Sequence, residues 1–137
     1  MPASVLVDTN ILFDILTGDP VWLAWSSTEL QKARANGTVI INPIICAEIA
    51  PVFDYDWIKL DSWLRPASFA RESLPFPASV IAAAAHADYR KRGGTKDTPL
   101  PDFYIGAHAE AAGHQLLTRD AKRYRTYFPK VTLIAPS

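Results

Sequence analysis

Four acidic residues stand where carboxylate chemistry would need them. Asp8 directly follows the short apolar run Ser4–Val7, and Asp120 comes just after a second apolar run that ends near Leu117. Glu48 lies early in a segment opened by Asn42-Pro43, and Asp102 begins a helical segment that leads back to the sheet. In a parallel sheet, sites form beyond the carboxyl ends of the strands, and all four acids can reach that rim. Asp102 and Asp120 also read simply as helix caps. Asp8 has no equally good structural reason: a carboxylate straight after a buried strand must be solvated, capped or bound.

Carboxylates gathered at one rim repel one another, so their pKa values rise or a cation joins them. An all-oxygen donor set selects Mg²⁺ or Mn²⁺ over zinc, and such ions activate water and polarise phosphoryl oxygens. One ion or two fits equally well. Thr9, Asn10 and Thr118 are the supporting donors nearest these acids. Helix capping by Asn10 and strand propensity at Thr118 are the simpler alternatives.

The formal charge of zero, 14 basic against 14 acidic residues, hides an asymmetry. Residues 1–89 carry 10 acids and 5 bases; residues 90–137 carry 9 bases and 4 acids. Arg92, Lys96, Arg119, Lys122 and Arg123 are the candidate contacts to a phosphate backbone. Tyr124, Tyr127 and Phe128 are interleaved with the bases, either to stack on nucleobases or to anchor the core. The single cysteine, Cys46, excludes a disulfide framework, a cysteine-based zinc site and an iron–sulfur cluster within one chain. It reads as a small core residue. His86, His108 and His114 lack H-x-x-x-H spacing and read as structural. Neither a P-loop, a G-x-G-x-x-G turn nor a G-x-S-x-G elbow occurs. No apolar run is long enough for a membrane span and no signal peptide is visible, so the expected location is the cytoplasm.

The elements that must position these groups alternate. Strands are expected at Ser4–Val7, Thr38–Ile41, Gln115–Thr118 and Val131–Ile134. A helix follows the first strand and stops at Gly18. Another starts at Asp19-Pro20 and ends at Asn36-Gly37. Further helices are expected after Asn42-Pro43, with Pro51 as a kink or stop, and around Trp57–Leu64 with Asp56 as cap and Pro66 as terminator. An Ala-rich helix should run from about Ala78 to Lys91 and end at Gly93-Gly94. Helices opened by Asp102 and by Asp120 complete the pattern. With 137 residues, 49% apolar and no internal linker, one α/β domain spanning 1–137 is expected. Its core would be a mostly parallel sheet of four to five strands flanked by helices in three layers.

At this point the chain resembles the PIN-domain ribonucleases. The carriers are Val5-Leu-Val-Asp-Thr-Asn-Ile-Leu12, Ile45-Cys-Ala-Glu-Ile49, Leu100-Pro-Asp-Phe-Tyr-Ile-Gly106 and Leu116-Leu-Thr-Arg-Asp120. The short length is similar to the VapC toxins of type II toxin–antitoxin pairs. The resemblance implies the PIN-like fold and an endoribonuclease dependent on Mg²⁺ or Mn²⁺. It assigns the acidic site to Asp8, Glu48, Asp102 and Asp120, with Asp8 and Asp102 as the foremost ligands and Thr118 as a supporting hydroxyl. It also implies RNA as substrate, a VapB-type antitoxin that blocks the site, and a homodimer. The basic, Gly/Pro-interrupted stretch Arg90–Pro101 departs from many relatives. A housekeeping RNA-processing nuclease has the same catalytic residues. Two further readings are weaker. An aspartyl-phosphate phosphatase wants a second acid where Asn10 stands. A phospho-receiver or other silent binding module wants a lysine where Arg119 stands.

Overall fold

The computed structural model describes residues 3–137. Among these residues, five strands form one all-parallel sheet: β1 (Ala3–Val7), β2 (Gly37–Ile41), β3 (Ala70–Arg71), β4 (Gln115–Leu117) and β5 (Leu133–Ile134). Their order across the sheet is β3-β2-β1-β4-β5. The chain therefore builds outward from β1 to β3, then returns to place β4 on the other side of β1. That reversal makes a topological switch point between β1 and β4, the place where open α/β sheets leave a crevice.

Seven helices connect the strands: α1 (Thr9–Thr17), α2 (Leu23–Asn36), α3 (Pro43–Ile49), α4 (Trp57–Leu64), α5 (Phe76–Lys91), α6 (Pro101–Ala112) and α7 (Lys122–Tyr127). With this strand order, the right-handed rule for parallel crossovers assigns the connections from β1 to β3 to one face and those from β3 to β5 to the other. The central strands are buried on both faces: Val5, Leu6 and Val7 are nearly inaccessible, as are Val39, Ile40 and Ile41. This explains why they read as unbroken apolar runs instead of alternating ones.

Local signals account for most boundaries. Gly18 closes α1 in the left-handed conformation, at φ 65°. Asn42 caps α3 by accepting from the Ile45 N–H, and Asp56 caps α4 through Ile58 and Lys59. Pro51 sits in a 3-10 turn, Ala50–Phe53, that ends α3.

Several expectations are corrected. Asp19 does not open α2; its carboxylate binds the Val21 and Trp22 N–H groups of a turn, and α2 begins at Leu23. Asp102 is not a cap: Leu100 holds that position and Asp102 lies in the first turn of α6. Asp120 does not start α7, whose cap position is Ala121. Strand β3 is an addition, two residues paired with Ile40 and Ile41.

Gly106 shows how tightly α6 packs. A Cβ there would lie 2.5 Å from the ring of Phe128, itself fully buried. Gly106→Ala should destabilise the fold by about 1–3 kcal/mol through overpacking. An unchanged denaturant midpoint would contradict this.

Candidate functional site

Asp8 is the first residue after β1 and Thr118 the first after β4, so both project from the switch point. The Asp8 N–H donates to the Leu117 carbonyl at 2.9 Å, which carries the sheet pairing up to the site itself. Asp8 also caps α1: its Oδ1 accepts from the Thr9 N–H at 2.8 Å. The cap is Asp8 and not Asn10, which lies inside the helix.

The second oxygen of Asp8 is crowded with donors. Oδ2 accepts from Thr118 Oγ1 at 2.8 Å, Tyr124 Oη at 3.0 Å and Asn10 Nδ2 at 3.3 Å. The Asn10 amide bridges further, donating to Thr118 Oγ1 and accepting from the Arg119 N–H. These bonds orient Asp8 although it is only 3% exposed. They do not offset its burial. Desolvation, helped by the Asp102 charge, raises its pKa from 3.8 to about 6 against the opposing bonds.

The other acids are linked through Asp102, whose charge acts on both Asp8 and Glu48 and is itself acted on by Asp120. Glu48, on α3, is anchored by the Thr9 hydroxyl at 2.7 Å, and burial followed by the Asp102 charge pushes its carboxyl up despite that bond. Asp102 lies near Arg123, whose Nη1 donates to Oδ2 at 3.3 Å. Burial raises Asp102, Arg123 opposes, and Asp120 adds to the rise. Asp120 is exposed, and its N–H donates to Thr118 Oγ1 at 3.1 Å. Asp8, Glu48 and Asp102 thus resist ionisation, first through burial and then through the charges of their acidic neighbours. Their donors are all oxygen, which fits a hard divalent cation.

Tyr124 was not among the expected site residues. Its ring is buried in the core and its hydroxyl reaches Asp8, so burial and the nearby carboxylates push its pKa well above the usual value. In sequence it appeared only as one aromatic of a basic segment. Tyr124→Phe should remove one of three donors to Asp8 Oδ2. The expected loss is about 10- to 100-fold in metal affinity or activity. Unchanged affinity and activity would contradict it.

The proposed phosphate contacts divide. Arg123 lies at the acids, with its guanidinium also over the Phe103 ring. Lys122 is exposed beside it. Arg92 pairs with Asp88 and lies over Tyr127, while the exposed Lys96 belongs to the loop before α6. Arg119 has a buried partner: its Nε bonds both oxygens of Asp14, at 3.0 and 2.9 Å. Tyr124 and Phe128 are buried, so they are core anchors and not stacking platforms.

The roomiest cavity described, about 460 Å³, is not at this site. It is an apolar groove lined by Pro43, Cys46, Trp57 and Leu60 among others, and none of the four acids lines it. Volume favours the groove, but convergent carboxylates favour the switch point, and reactive groups decide where chemistry occurs.

The profile of the PIN domain matches residues 5–129, from within β1 to beyond α7. The chain belongs to the PIN domain family. Solved structures share its fold across nearly their whole length. VapBC2 from Rickettsia felis, bound to a DNA fragment from its promoter, is 18% identical with a TM-score of 0.74, covering 98% of this chain and 99% of the other. VapBC from Salmonella typhimurium, bound to DNA, is 12% identical with a TM-score of 0.71, covering 97% and 98%. A toxin–antitoxin complex from Klebsiella pneumoniae is 22% identical with a TM-score of 0.69, covering 97% and 98%. Comparison with curated proteins finds no match.

Proposed function

We propose that this PIN domain is a divalent-metal-dependent endoribonuclease, the toxin of a VapBC-type pair. The observation that carries the reading is a buried Asp8, oriented by Thr118, Tyr124 and Asn10, whose carboxylate feels the charge of Asp102, as Glu48 does, while Asp120 acts on Asp102. Asp8 and Asp102 would hold the ion, with Glu48 and Asp120 completing the site directly or through water. A bound Mg²⁺ or Mn²⁺ supplies a water nucleophile and Lewis acidity toward a phosphoryl oxygen. The chain fixes the ligand directions, and Thr9, Asn10 and Thr118 hold them. Arg123, Lys122, Arg92 and Lys96 would meet the RNA backbone, whose attack by water breaks a phosphodiester P–O bond.

The toxin assignment is supported by the fold shared with VapBC complexes. It brings a VapB-type antitoxin and a homodimer as expected partners and the cytoplasm as location. Among the described residues, no helix is long and apolar enough to cross a membrane. The test is cleavage of total RNA by purified protein with Mg²⁺, Mn²⁺ or excess EDTA. Cleavage with either ion and none in EDTA is expected. Full activity in EDTA overturns the metal dependence, and no cleavage with either ion overturns the nuclease reading. Growth arrest on expression, relieved by a neighbouring small protein, separates the toxin from a housekeeping enzyme.

A further inference from the structure

A second group of potential ligands lies apart from the four acids. Glu72 follows β3, His108 is on α6 and His114 precedes β4. Among the described residues, these form the one group of three histidine, cysteine or acidic side chains whose ligand atoms all lie within 4.8 Å of one another. Glu72 Oε1 lies 3.1 Å from His108 Nε2 and 2.7 Å from His114 Nε2. We propose that Glu72, His108 and His114 form a second metal site, selective for Zn²⁺ and chemically distinct from the oxygen-only cluster around Asp8.

The donor set suits a borderline ion. Two imidazoles and one carboxylate match zinc, and leave a fourth position for water. With bonds of about 2.0–2.2 Å, tetrahedral ligands stand roughly 3.3–3.5 Å apart, so each Glu72–histidine pair needs to open by less than an ångström, and the two imidazole nitrogens already lie within 4.8 Å of each other. Burial keeps His108 neutral at neutral pH. Burial raises Glu72, but the bonds from His114 and His108 outweigh it and the carboxyl stays below its ordinary range. Both are the forms that ligate. Glu72 is 39% exposed, and its Oε2 takes neither histidine bond, which leaves an entry path from solvent.

The far ring nitrogens are also engaged, and a metal-bound histidine donates from its far nitrogen. His114 Nδ1 meets the Ser4 hydroxyl at 2.7 Å, which can accept from it. His108 Nδ1 meets Asn42 Nδ2 at 2.9 Å. Here the geometry imposes a cost. Asn42 Oδ1 accepts from the Ile45 N–H, so the amide NH₂ faces the ring and His108 carries its proton on Nε2. Ligation through Nε2 moves that proton to Nδ1 and turns the Asn42 amide, giving up the cap bond. The occupied site would tie the end of β3 to α6, the helix that carries Asp102.

This cost supplies the test. Zn²⁺ is titrated calorimetrically into the full chain, with millimolar Mg²⁺ present and no RNA. One equivalent should bind. His114→Gln and Glu72→Gln should each weaken it by tenfold or more. Asn42→Asp should tighten it, because a carboxylate accepts from both the Ile45 N–H and His108 Nδ1–H. Asp8→Asn should leave it in place, so failure here and failure of the nuclease reading are separable. Far-ultraviolet circular dichroism checks that each variant is folded. No Zn²⁺ binding to the wild type at 100-fold molar excess overturns the proposal. So does equal affinity in wild type and folded His114→Gln, or weaker binding in folded Asn42→Asp.

Discussion

Asp8→Asn should silence RNA cleavage while leaving the metal-free protein at least as stable as wild type at pH 8. A divalent ion contributes several kcal/mol of transition-state stabilisation, and each 1.36 kcal/mol is tenfold in rate, so losing its principal ligand should cost about a thousandfold. The stability half follows from burial. Asp8 has a folded-state pKa of about 6 against an ordinary 3.8, so the folded protein holds the proton more tightly than the unfolded chain. That preference stabilises the fold fully below about pH 4 and is lost as pH rises through about 6. At higher pH, the ionised carboxylate costs roughly 3 kcal/mol relative to its protonated form. An amide carries no charge and escapes this cost, although its NH₂ cannot accept from the donors that now face two oxygens. The variant should therefore melt at or above the wild type at pH 8 without metal, and lose most of that advantage by about pH 4. Adding Mg²⁺ should raise the wild-type melting temperature only. A variant that retains a tenth of the activity contradicts the ligand role. One that unfolds at pH 8 contradicts the burial argument.

Asp8 illustrates what a sequence can carry. Its position after an unbroken apolar run announces a strand end, and the whole signature from Val5 to Asp120 lies in local words that survive folding intact. The central strands and the caps Asn42 and Asp56 were legible for the same reason: each is decided by neighbours within about four residues. Features decided by distant partners were not. Strand β3 is two residues long and exists through its register with Ile40 and Ile41. Asp102 and Asp120 look like caps in sequence, but the backbone begins each helix elsewhere, and the Asp102 carboxylate bonds Arg123 across the fold instead. Glu72 gave no signal at all, because its histidines lie 36 and 42 residues away. Tyr124 was visible only as an aromatic among bases, since its partner Asp8 is 116 residues away.

Arg119 tests that distinction most sharply, because sequence reads it as a phosphate contact and the fold gives it a buried partner. Asp14 is 1% exposed, holds the Ser26 hydroxyl at 2.6 Å and takes both of its oxygens to Arg119 Nε. The Arg119 side chain is 31% exposed and lies over the Trp22 ring. Removing the cation strands a buried anion, whereas removing the anion leaves a cation that can reach water. Arg119→Ala should therefore cost about 3–5 kcal/mol, as for a broken buried pair. Asp14→Asn should cost about 1–3 kcal/mol, the range for an impaired buried hydrogen bond. The double variant should be more stable than Arg119→Ala alone, because the uncompensated charge is gone. Urea melts of the three proteins read this order directly. A simple phosphate contact behaves differently: Arg119→Ala would leave the melt unchanged, weaken RNA binding and lower the salt slope by about one. The clamp also bears on catalysis, since Arg119 stands between Thr118 and Asp120 and its N–H binds Asn10. Releasing it should loosen the loop that holds Thr118 against Asp8. Cleavage should fall in Arg119→Ala even at temperatures where the protein remains folded, and Asp14→Asn in the same background should restore stability without restoring the rate.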